Sequence, residues 1–528
     1  MLALSERTPA ETKSQASGAS LVIQLARLGD FLQTTPLLAA LGKPHVLVTP
    51  AQAPLALACR HRERVLIMDP ATLEDAARAG ESPRLRLARL GGLLEPLAGL
   101  AVGEVYNLNL SGLCAGLASL WPRAGLHGWR WQEGRMAGEA WSPFLMHLVA
   151  DRRLTRLHLS DILASYAAPQ GPPLERLEHR VEPAARQKAR ELLPAGRPLA
   201  ALQLGANNDL RRWPVASFAR LARGLLAQGV GLALVGSARE RVLARRLLRD
   251  LGAAGQEVRD LMGRTDLPTL AAVLEACDLT VSADTGSLHL ATAVGSRVLA
   301  LFMGPAQVHE TGPYGHGHLV LQARDQCGPC QEHAPVCQGA APCRRLITPQ
   351  AALRAALALL GGVSASRASA GLSLPAGVEA LAGEMDAFGQ RYRQLNARPL
   401  TVGDGLALAL REAGRLLLRP DYVFEDGLVG RELAQGYSAP SQETSRQLAG
   451  LAGAAARLAA ACHGSDADAA RRVMAQAPGL KPLALTAGPQ APAGLSHACR
   501  AASAVLAMAS GGGEGAARGR RVECGKID

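Results

Sequence analysis

The sequence predicts an α/β protein made of two successive helix-covered, mostly parallel sheets, followed by a mainly α-helical extension. Three observations predict it. Apolar runs of strand length alternate with Ala/Leu/Arg-rich segments of helical period, first over residues 20–167 and again over residues 199–360. A Pro-rich, charged stretch, residues 169–183, separates the two alternations. The pattern is clearest where the apolar run Leu279 to Ala283 stops at Asp284, turns through Thr285 and Gly286, continues as an apolar helical pattern to Val294, and returns as a strand from Arg297 to Phe302.

In chain order, residues 1–19 are a polar leader, read as disordered. Leu21 to Leu25 is a buried strand, and a helix follows from about Phe31 to Leu41. His45 to Thr49, Val65 to Met68, Val105 to Leu110 and Leu126 to Trp129 are further strands, and a helix from Leu157 to Ala167 closes the first domain. The second alternation opens with strand Leu199 to Leu204 and a polar loop, Gly205 to Arg212. Pro214, placed at a first helical position, then starts a helix to Ala227. Gly231 to Val235 is a strand and Arg239 to Leu251 a helix. Leu267 to Cys277 is a helix with Asp266 as N-cap and Pro268 in the first turn. After the Asp284 unit come strand Leu319 to Gln322, a cysteine-bearing loop at residues 325–345, and a closing helix, Pro349 to Leu360.

From Gly361 the character changes. Ser364 to Ser373 reads as a linker, Leu406 to Leu418 and Glu443 to Ala461 have helical periodicity, and strand signals are scarce. Residues 478–495 and 510–520, rich in Pro, Gly and Ala, read as disordered. The expected domains are therefore residues 20–183, 184–362 and an extension over 363–528.

A length of 528 residues gives room for two or three domains, and 48% hydrophobic content argues a globular protein. The net charge of +12 resides mostly in arginine and suits nucleic acid, anionic membrane surface or phosphorylated substrates. No Arg cluster interleaves with aromatics, which disfavours nucleic acid. No apolar run approaches the roughly 20 residues that span a bilayer, and the leader lacks the apolar core of a signal peptide. Of ten cysteines, six are scattered singly, which agrees with a reducing compartment. The expectation is a cytoplasmic protein.

The helix after Asp284 opens on small residues, so its free N–H groups and positive dipole end suit phosphate. Open α/β sheets bind ligands at their carboxyl edges. Three loops reach such edges: Arg27 to Asp30, Gly205 to Trp213, and Asp284 to His289. One offers an acid, one a pair of arginines, and one a helix N-terminus.

Five blocks then carry a resemblance: Leu25-Ala26-Arg27-Leu28-Gly29-Asp30 with Thr34-Thr35-Pro36-Leu37; Leu204-Gly205-Ala206 with Arg211-Arg212-Trp213-Pro214; Asp260-Leu261-Met262-Gly263-Arg264-Thr265; Asp284-Thr285-Gly286 with His289; and Gly312-Pro313-Tyr314-Gly315. Over roughly residues 20–360 the chain resembles glycosyltransferase family 9, the ADP-heptose:lipopolysaccharide heptosyltransferases. The last third gains nothing from it. The resemblance implies a GT-B architecture, two Rossmann-like domains facing a cleft, with acceptor on the first and nucleotide-sugar on the second. It also implies an inverting transfer, in which an acceptor hydroxyl displaces the nucleoside diphosphate.

Asp30 matches the family's base, which takes the proton from the attacking hydroxyl; the alternative is a helix cap. Gly29 and Arg27 lie on the acceptor side, Gly29 letting the acceptor approach the backbone. Arg211 stands where the family commonly carries Lys, and a cation there neutralises the departing diphosphate. Its planar fork grips phosphate differently from a Lys point charge. Arg212 can share that role. Thr285, Gly286 and Ser287 are expected to cradle phosphate through backbone N–H and hydroxyl groups, Asp284 to face donor sugar hydroxyls, and His289 to reach the diphosphate or pack in the core. Glu240 corresponds loosely to an acidic position that meets the ribose, with an exposed helix Glu as the alternative.

Cys327, Cys330, Cys337 and Cys343 are the one clustered cysteine set, able in principle to hold a structural zinc tetrahedrally; reduced thiols or a redox disulfide are the alternatives. The chemistry itself needs no cofactor. The sequence thus leads to an inverting transfer of a heptose-like sugar from a nucleoside diphosphate donor, ADP-heptose by the resemblance, to a lipopolysaccharide-core-type or lipid-linked oligosaccharide acceptor. It places the enzyme at the inner face of the cytoplasmic membrane, with no nucleic acid partner. The alternatives are another nucleotide-sugar with a glycan or protein acceptor, and a non-catalytic nucleotide-binding module.

Overall fold

The computed structural model of the chain describes residues 18–78, 83–167, 174–324, 330, 337, 341–419, 426–463, 472–473, 476–484 and 495–510. The expected disorder of the leader before residue 18, of residues 485–494 and of the stretch after 510, and the middle of the expected linker at 168–173, lie outside the described residues. The chain begins with β1 (Ala19–Gln24), α1 (Leu28–Gln33), α2 (Thr35–Leu41), β2 (His45–Val48), α3 (Ala53–Leu57), β3 (Val65–Ile67), α4 (Pro70–Arg78) and α5 (Pro83–Ala98). It continues with β4 (Val102–Asn107), α6 (Gly112–Ala118), β5 (Gly125–Gly128), and a hairpin of β6 (Arg130–Gln132) and β7 (Arg135–Ala137). The single helix expected from Phe31 to Leu41 is two. Pro36 has no N–H for the carbonyl of Leu32, and the hydroxyl of Thr35 donates to that carbonyl instead, at 2.7 Å.

The chain divides into two compact units. The first, Met1–Leu25, Lys43–Pro50 and Arg62–Gly138, is built on a parallel sheet in the order β3-β2-β1-β4-β5. Its core joins Leu21 and Ile23 of the central strand to Leu47, Val105, Leu117 and Trp121. Asn109 ties the ends of β1 and β4 together: its Oδ1 accepts the Leu25 N–H at 3.0 Å and its Nδ2 donates to the Ile23 carbonyl at 2.8 Å.

The second unit takes Ala26–Gly42, Ala51–His61 and Glu139–Asp528. Helices α1 to α3 and residues 139–183 therefore group with it, on the other side of the boundary that the sequence suggests at 183/184. Hydrogen bonds show why: the Thr35 hydroxyl accepts the Glu178 N–H at 3.1 Å, and the Ala58 carbonyl accepts the Arg180 N–H at 3.2 Å. Its elements start with α7 (Ser142–Ala150), α8 (Leu159–Ala164), α9 (Pro183–Leu192), β8 (Leu199–Gln203), α10 (Val215–Ala227), β9 (Gly231–Val235), α11 (Arg241–Leu251) and β10 (Val258–Asp260). Next are α12 (Leu267–Ala276), β11 (Leu279–Ser282), α13 (Gly286–Ala293), β12 (Val298–Phe302), α14 (Val308–Thr311), β13 (Leu319–Ala323), α15 (Cys343–Leu346) and α16 (Pro349–Leu360). Asp266 caps α12 by accepting the Thr269 N–H at 2.8 Å, as its position predicts. Trp213 is fully buried, and its indole N–H donates to the Ile347 carbonyl at 3.0 Å.

The region after residue 362 is not simply helical. It opens with α17 (Ala365–Ala370) inside the expected linker, where Ser364 caps the helix, then β14 (Val378–Met385) and β15 (Gln390–Gln394). These two strands add antiparallel to the free side of β13, giving the eight-stranded order β10-β9-β8-β11-β12-β13-β14-β15. Ala- and Gly-bearing β14 has weak strand character alone, and its pairing partner supplies the rest. The remainder comprises β16 (Arg398–Pro399), α18 (Val402–Leu418), α19 (Asp426–Gly436), β17 (Tyr437–Ser438), α20 (Gln442–His463), α21 (Lys481–Ala484) and α22 (Leu495–Ala509).

Helix α18 is buried from Asp404 to Leu418, charges included. Those charges are paired. Arg411 forks onto Glu432 at 3.0 and 2.7 Å and reaches Glu412 at 2.6 Å, while Arg415 meets Asp386 at 2.8 Å. Around them α18, α20 and α22 share one apolar core with Phe144 and Leu148 of α7. The extension is therefore continuous with the second unit. Among the described residues no helix is long and apolar enough to cross a membrane.

Candidate active site

In the second unit, successive strands run outward from β8 through β9 to β10, and outward the other way from β11 to β13. The chain reverses its direction of winding between β8 and β11, and open sheets of this kind bind ligands at the carboxyl ends flanking that point. Two of the three loops singled out by sequence leave from there. The loop after β8 carries Arg211; the turn after β11 is Asp284-Thr285-Gly286.

The two loops meet. Arg211 Nη1 donates to Asp284 Oδ2 at 2.8 Å; the Asp284 side chain is buried and that of Arg211 mostly so. The same oxygen accepts the Thr311 hydroxyl at 3.1 Å. His289 Nε2 stands 3.8 Å from Asp284 Oδ1, beyond hydrogen-bond reach. Burial, helped by the Arg211 charge, pushes His289 down to about 4, so its buried ring is neutral near pH 7. Among the described residues its Nδ1 has no hydrogen-bond partner.

Thr285 is committed to capping: its hydroxyl accepts the Leu288 N–H at 3.3 Å and lies 3.0 Å from the Ser282 hydroxyl. Of Thr285, Gly286 and Ser287, the last two carry backbone N–H groups in a first turn where the helix has no carbonyl to receive them. Arg212 turns back onto its own loop. It donates to the Ala206 carbonyl at 3.0 Å and pairs with Asp209 at 2.9 Å, so Arg211 alone of the two reaches Asp284.

Glu240 sits at the same edge. Its carboxylate accepts the Ser237 N–H at 2.7 Å and lies so close to Gly205 that a Cβ there would fall 1.5 Å from Oε1. Arg241 beside it donates to the carbonyls of Met262 and Gly263 at 3.0 and 2.9 Å, fixing the loop whose Gly263 has φ +62°.

Helix α1 also belongs to this site. A Cβ on Gly29 would lie 2.8 Å from His289 Cδ2, and one on Gly286 would lie 3.5 Å from Leu28 Cβ. The first turn of α1 therefore rests on the first turn of α13, and Gly29 serves that contact. Asp30 is the third residue of α1; its Oδ2 accepts the Arg27 N–H at 3.0 Å, closing the turn, while the carboxylate stays partly exposed. Arg27 is exposed, and its carbonyl accepts Gln52 Nε2 at 3.1 Å.

Sequence reading missed Thr311 and its neighbour Glu310. Glu310 is ion-paired with the buried Arg152, and burial raises its carboxyl despite that partner. The signal was available in the chain order, since both immediately precede Gly312-Pro313.

The described members of the four-cysteine set form no metal site. Cys327 lies outside the described residues, and among those described no three His, Cys, Asp or Glu side chains gather closely enough to hold a metal ion. Cys343 is spent in the apolar core beside Ile347.

Residues 105–340 match the glycosyltransferase family 9 (heptosyltransferase) family. Over 132 residues the chain is 32% identical to lipopolysaccharide heptosyltransferase 2 of Salmonella typhimurium, a match covering 25% of this chain and 38% of the relative. It is 31% identical to the Escherichia coli K12 enzyme of the same name over 132 residues, with the same coverage, 25% and 38%. The match thus spans well under half the length of these curated relatives. Two solved structures share the fold. The E. coli ADP-heptose LPS heptosyltransferase II has TM-score 0.50 at 22% identity, covering 65% of this chain and 99% of that one. The family 9 glycosyl transferase of Veillonella parvula has TM-score 0.52 at 18% identity, covering 65% and 98%.

Proposed function

From a chain that carries a glycosyltransferase family 9 region, we propose an inverting glycosyltransferase that moves a heptose-like sugar from ADP-heptose to a hydroxyl of a lipopolysaccharide-core-type acceptor. The observation that supports it best is the part-buried Arg211–Asp284–Thr311 cluster at the reversal point of the second sheet, with α1, which carries Asp30, packed through Leu28 and Gly29 on the first turn of α13.

The donor diphosphate is bound by the N–H groups of Gly286 and Ser287 and by the dipole of α13. Asp284 holds the Arg211 guanidinium, whose charge offsets the charge that grows on the diphosphate as the glycosidic bond breaks. Asp284 meets donor sugar hydroxyls. Glu240 takes ribose hydroxyls at the end of β9. Asp30 accepts the proton of the attacking acceptor hydroxyl, so that bond formation, bond cleavage and inversion occur in one displacement. The step draws on these groups and on no cofactor. In this reading the chain is a GT-B enzyme with two Rossmann-like domains. The basic surface, net +12, favours anionic headgroups at the inner face of the cytoplasmic membrane.

Purified full chain is offered ADP-, UDP- and GDP-sugars, and release of nucleoside diphosphate is followed with a core-oligosaccharide acceptor. ADP-heptose turnover is expected. Asp30→Asn is expected to retain ADP binding and to lose about 100-fold or more in kcat. Transfer by that variant at the parent's rate would remove Asp30 from the role of base.

A further inference from the structure

Among the described residues, the extension reaches the candidate donor site through the loop after Thr311. Gly312-Pro313-Tyr314-Gly315 follows directly on Thr311, and the β14–β15 hairpin grips it along its length. Tyr392 of β15 is buried, and its hydroxyl donates to the Pro313 carbonyl at 3.2 Å. Gln390, two residues earlier on the strand, accepts the Gly315 N–H on Oε1 at 2.6 Å. The Gln390 N–H and the Tyr314 hydroxyl both donate to Asp161 of α8, at 2.8 and 2.7 Å.

Three glycines make the approach possible. A Cβ on Gly312 would lie 2.3 Å from the Tyr392 hydroxyl, one on Gly383 of β14 would lie 2.6 Å from the Gly315 carbonyl, and one on Gly389 would lie 2.1 Å from Asp161 Oδ1. Such a seam leaves the loop one position, because no side chain can act as a compliant spacer.

We propose that the β14–β15 hairpin is a positioning element for the donor site: Tyr392 and Gln390 fix the 312–315 loop, the loop fixes Thr311, and Thr311 with Arg211 sets the orientation of the Asp284 carboxylate. Tyr392, Gln390 and Thr311 touch no reacting atom in this scheme. They are positioning residues, acting through Asp284, and the nucleotide part of the proposal rests on the transferase reading above.

The test uses the full chain. Tyr392→Phe removes one O–H donor and keeps the ring; Thr311→Val removes the hydroxyl on Asp284; Thr311→Ser restores it. Calorimetric titration with ADP is expected to give about two- to tenfold weaker binding for Tyr392→Phe and for Thr311→Val, as for one lost hydrogen bond, and near-parent binding for Thr311→Ser. The double variant is expected to bind no more weakly than the worse single one, since both act along one path. In nucleotide-free protein, amide exchange over residues 283–290 is expected to quicken in Tyr392→Phe while exchange in α20 and α22 stays at the parent's rate.

Additive losses in the double variant, unaltered exchange at 283–290, or a general rise across the whole unit each overturn the proposal. If the parent binds neither ADP, GDP nor UDP, the transferase reading fails, and the exchange measurement alone decides whether the hairpin braces Asp284.

Discussion

Gly29 has a packing reason beside its motif. Sequence reading sets it on the acceptor side; in the structure a Cβ there would also stand 2.8 Å from His289 Cδ2. Glycine inside a helix normally weakens it by roughly 0.5–1 kcal/mol relative to alanine. Here the sign should reverse. Gly29→Ala is expected to destabilise the protein by about 1–3 kcal/mol in urea titrations, through overpacking, and the same change made in a His289→Ala background should be neutral or stabilising. Destabilisation that persists in that background would disprove the contact. Asp161 makes a second prediction. Burial raises its carboxyl to about 7, although Tyr314, Gln390 and Arg415 favour the ionised form and only Asp386 adds to the rise. The unfolded chain keeps that proton only below about 3.9. The folded state therefore holds more protons between these values, so the stabilising contribution is full below about 4, declines as pH rises, and is gone once pH passes through the folded value. Asp161→Asn cannot titrate. The parent's unfolding free energy should fall relative to that variant across this window, and a difference that stays flat from end to end would count against the raised carboxyl. Arg211 and Asp284 were readable from their motifs, whereas their ion pair was not, because their meeting depends on the order of β8 and β11 in the sheet.

Among elements, those whose burial is complete were the most legible. Strands β8, β9, β12 and β13 are buried at every position, so each reads as an unbroken apolar run of strand length. Helix ends with local caps, such as Asp266 before α12, were equally plain. Two kinds of element escaped. Pro36 split a helix whose apolar pattern ran straight through it. Strands β14 and β15 owe their pairing to β13 and their stabilising side-chain contacts to α8 and the 312–315 loop, none of which is near in sequence. That dependence is mutual. Ending the chain at residue 362 would leave β13 as an open edge and uncover Phe144 and Leu148 of α7. Such a fragment is expected to be insoluble or to lack near-ultraviolet circular dichroism. A soluble fragment with a parent-like near-ultraviolet spectrum would show the extension to be separable.

On the scale of the molecule, composition predicted globularity and alternation predicted two parallel sheets, while the grouping of residues into units followed contacts that alternation does not encode. Helices α1 to α3 are threaded between strands of the first unit yet pack in the second, so the turn bearing Asp30 is built on the same body as the turn bearing Asp284. The position of the hairpin in the chain has a consequence for synthesis. Translation delivers Asp284, Arg211 and the 312–315 loop well before Tyr392, and nascent domains tend to fold from their N-terminal side as they emerge. Until β15 clears the ribosome, the growing sheet ends at an uncovered strand and the loop beside Asp284 has no brace. The sheet that bears Asp284 thus matures late, and that exposed interval is when a chaperone would have most to shield.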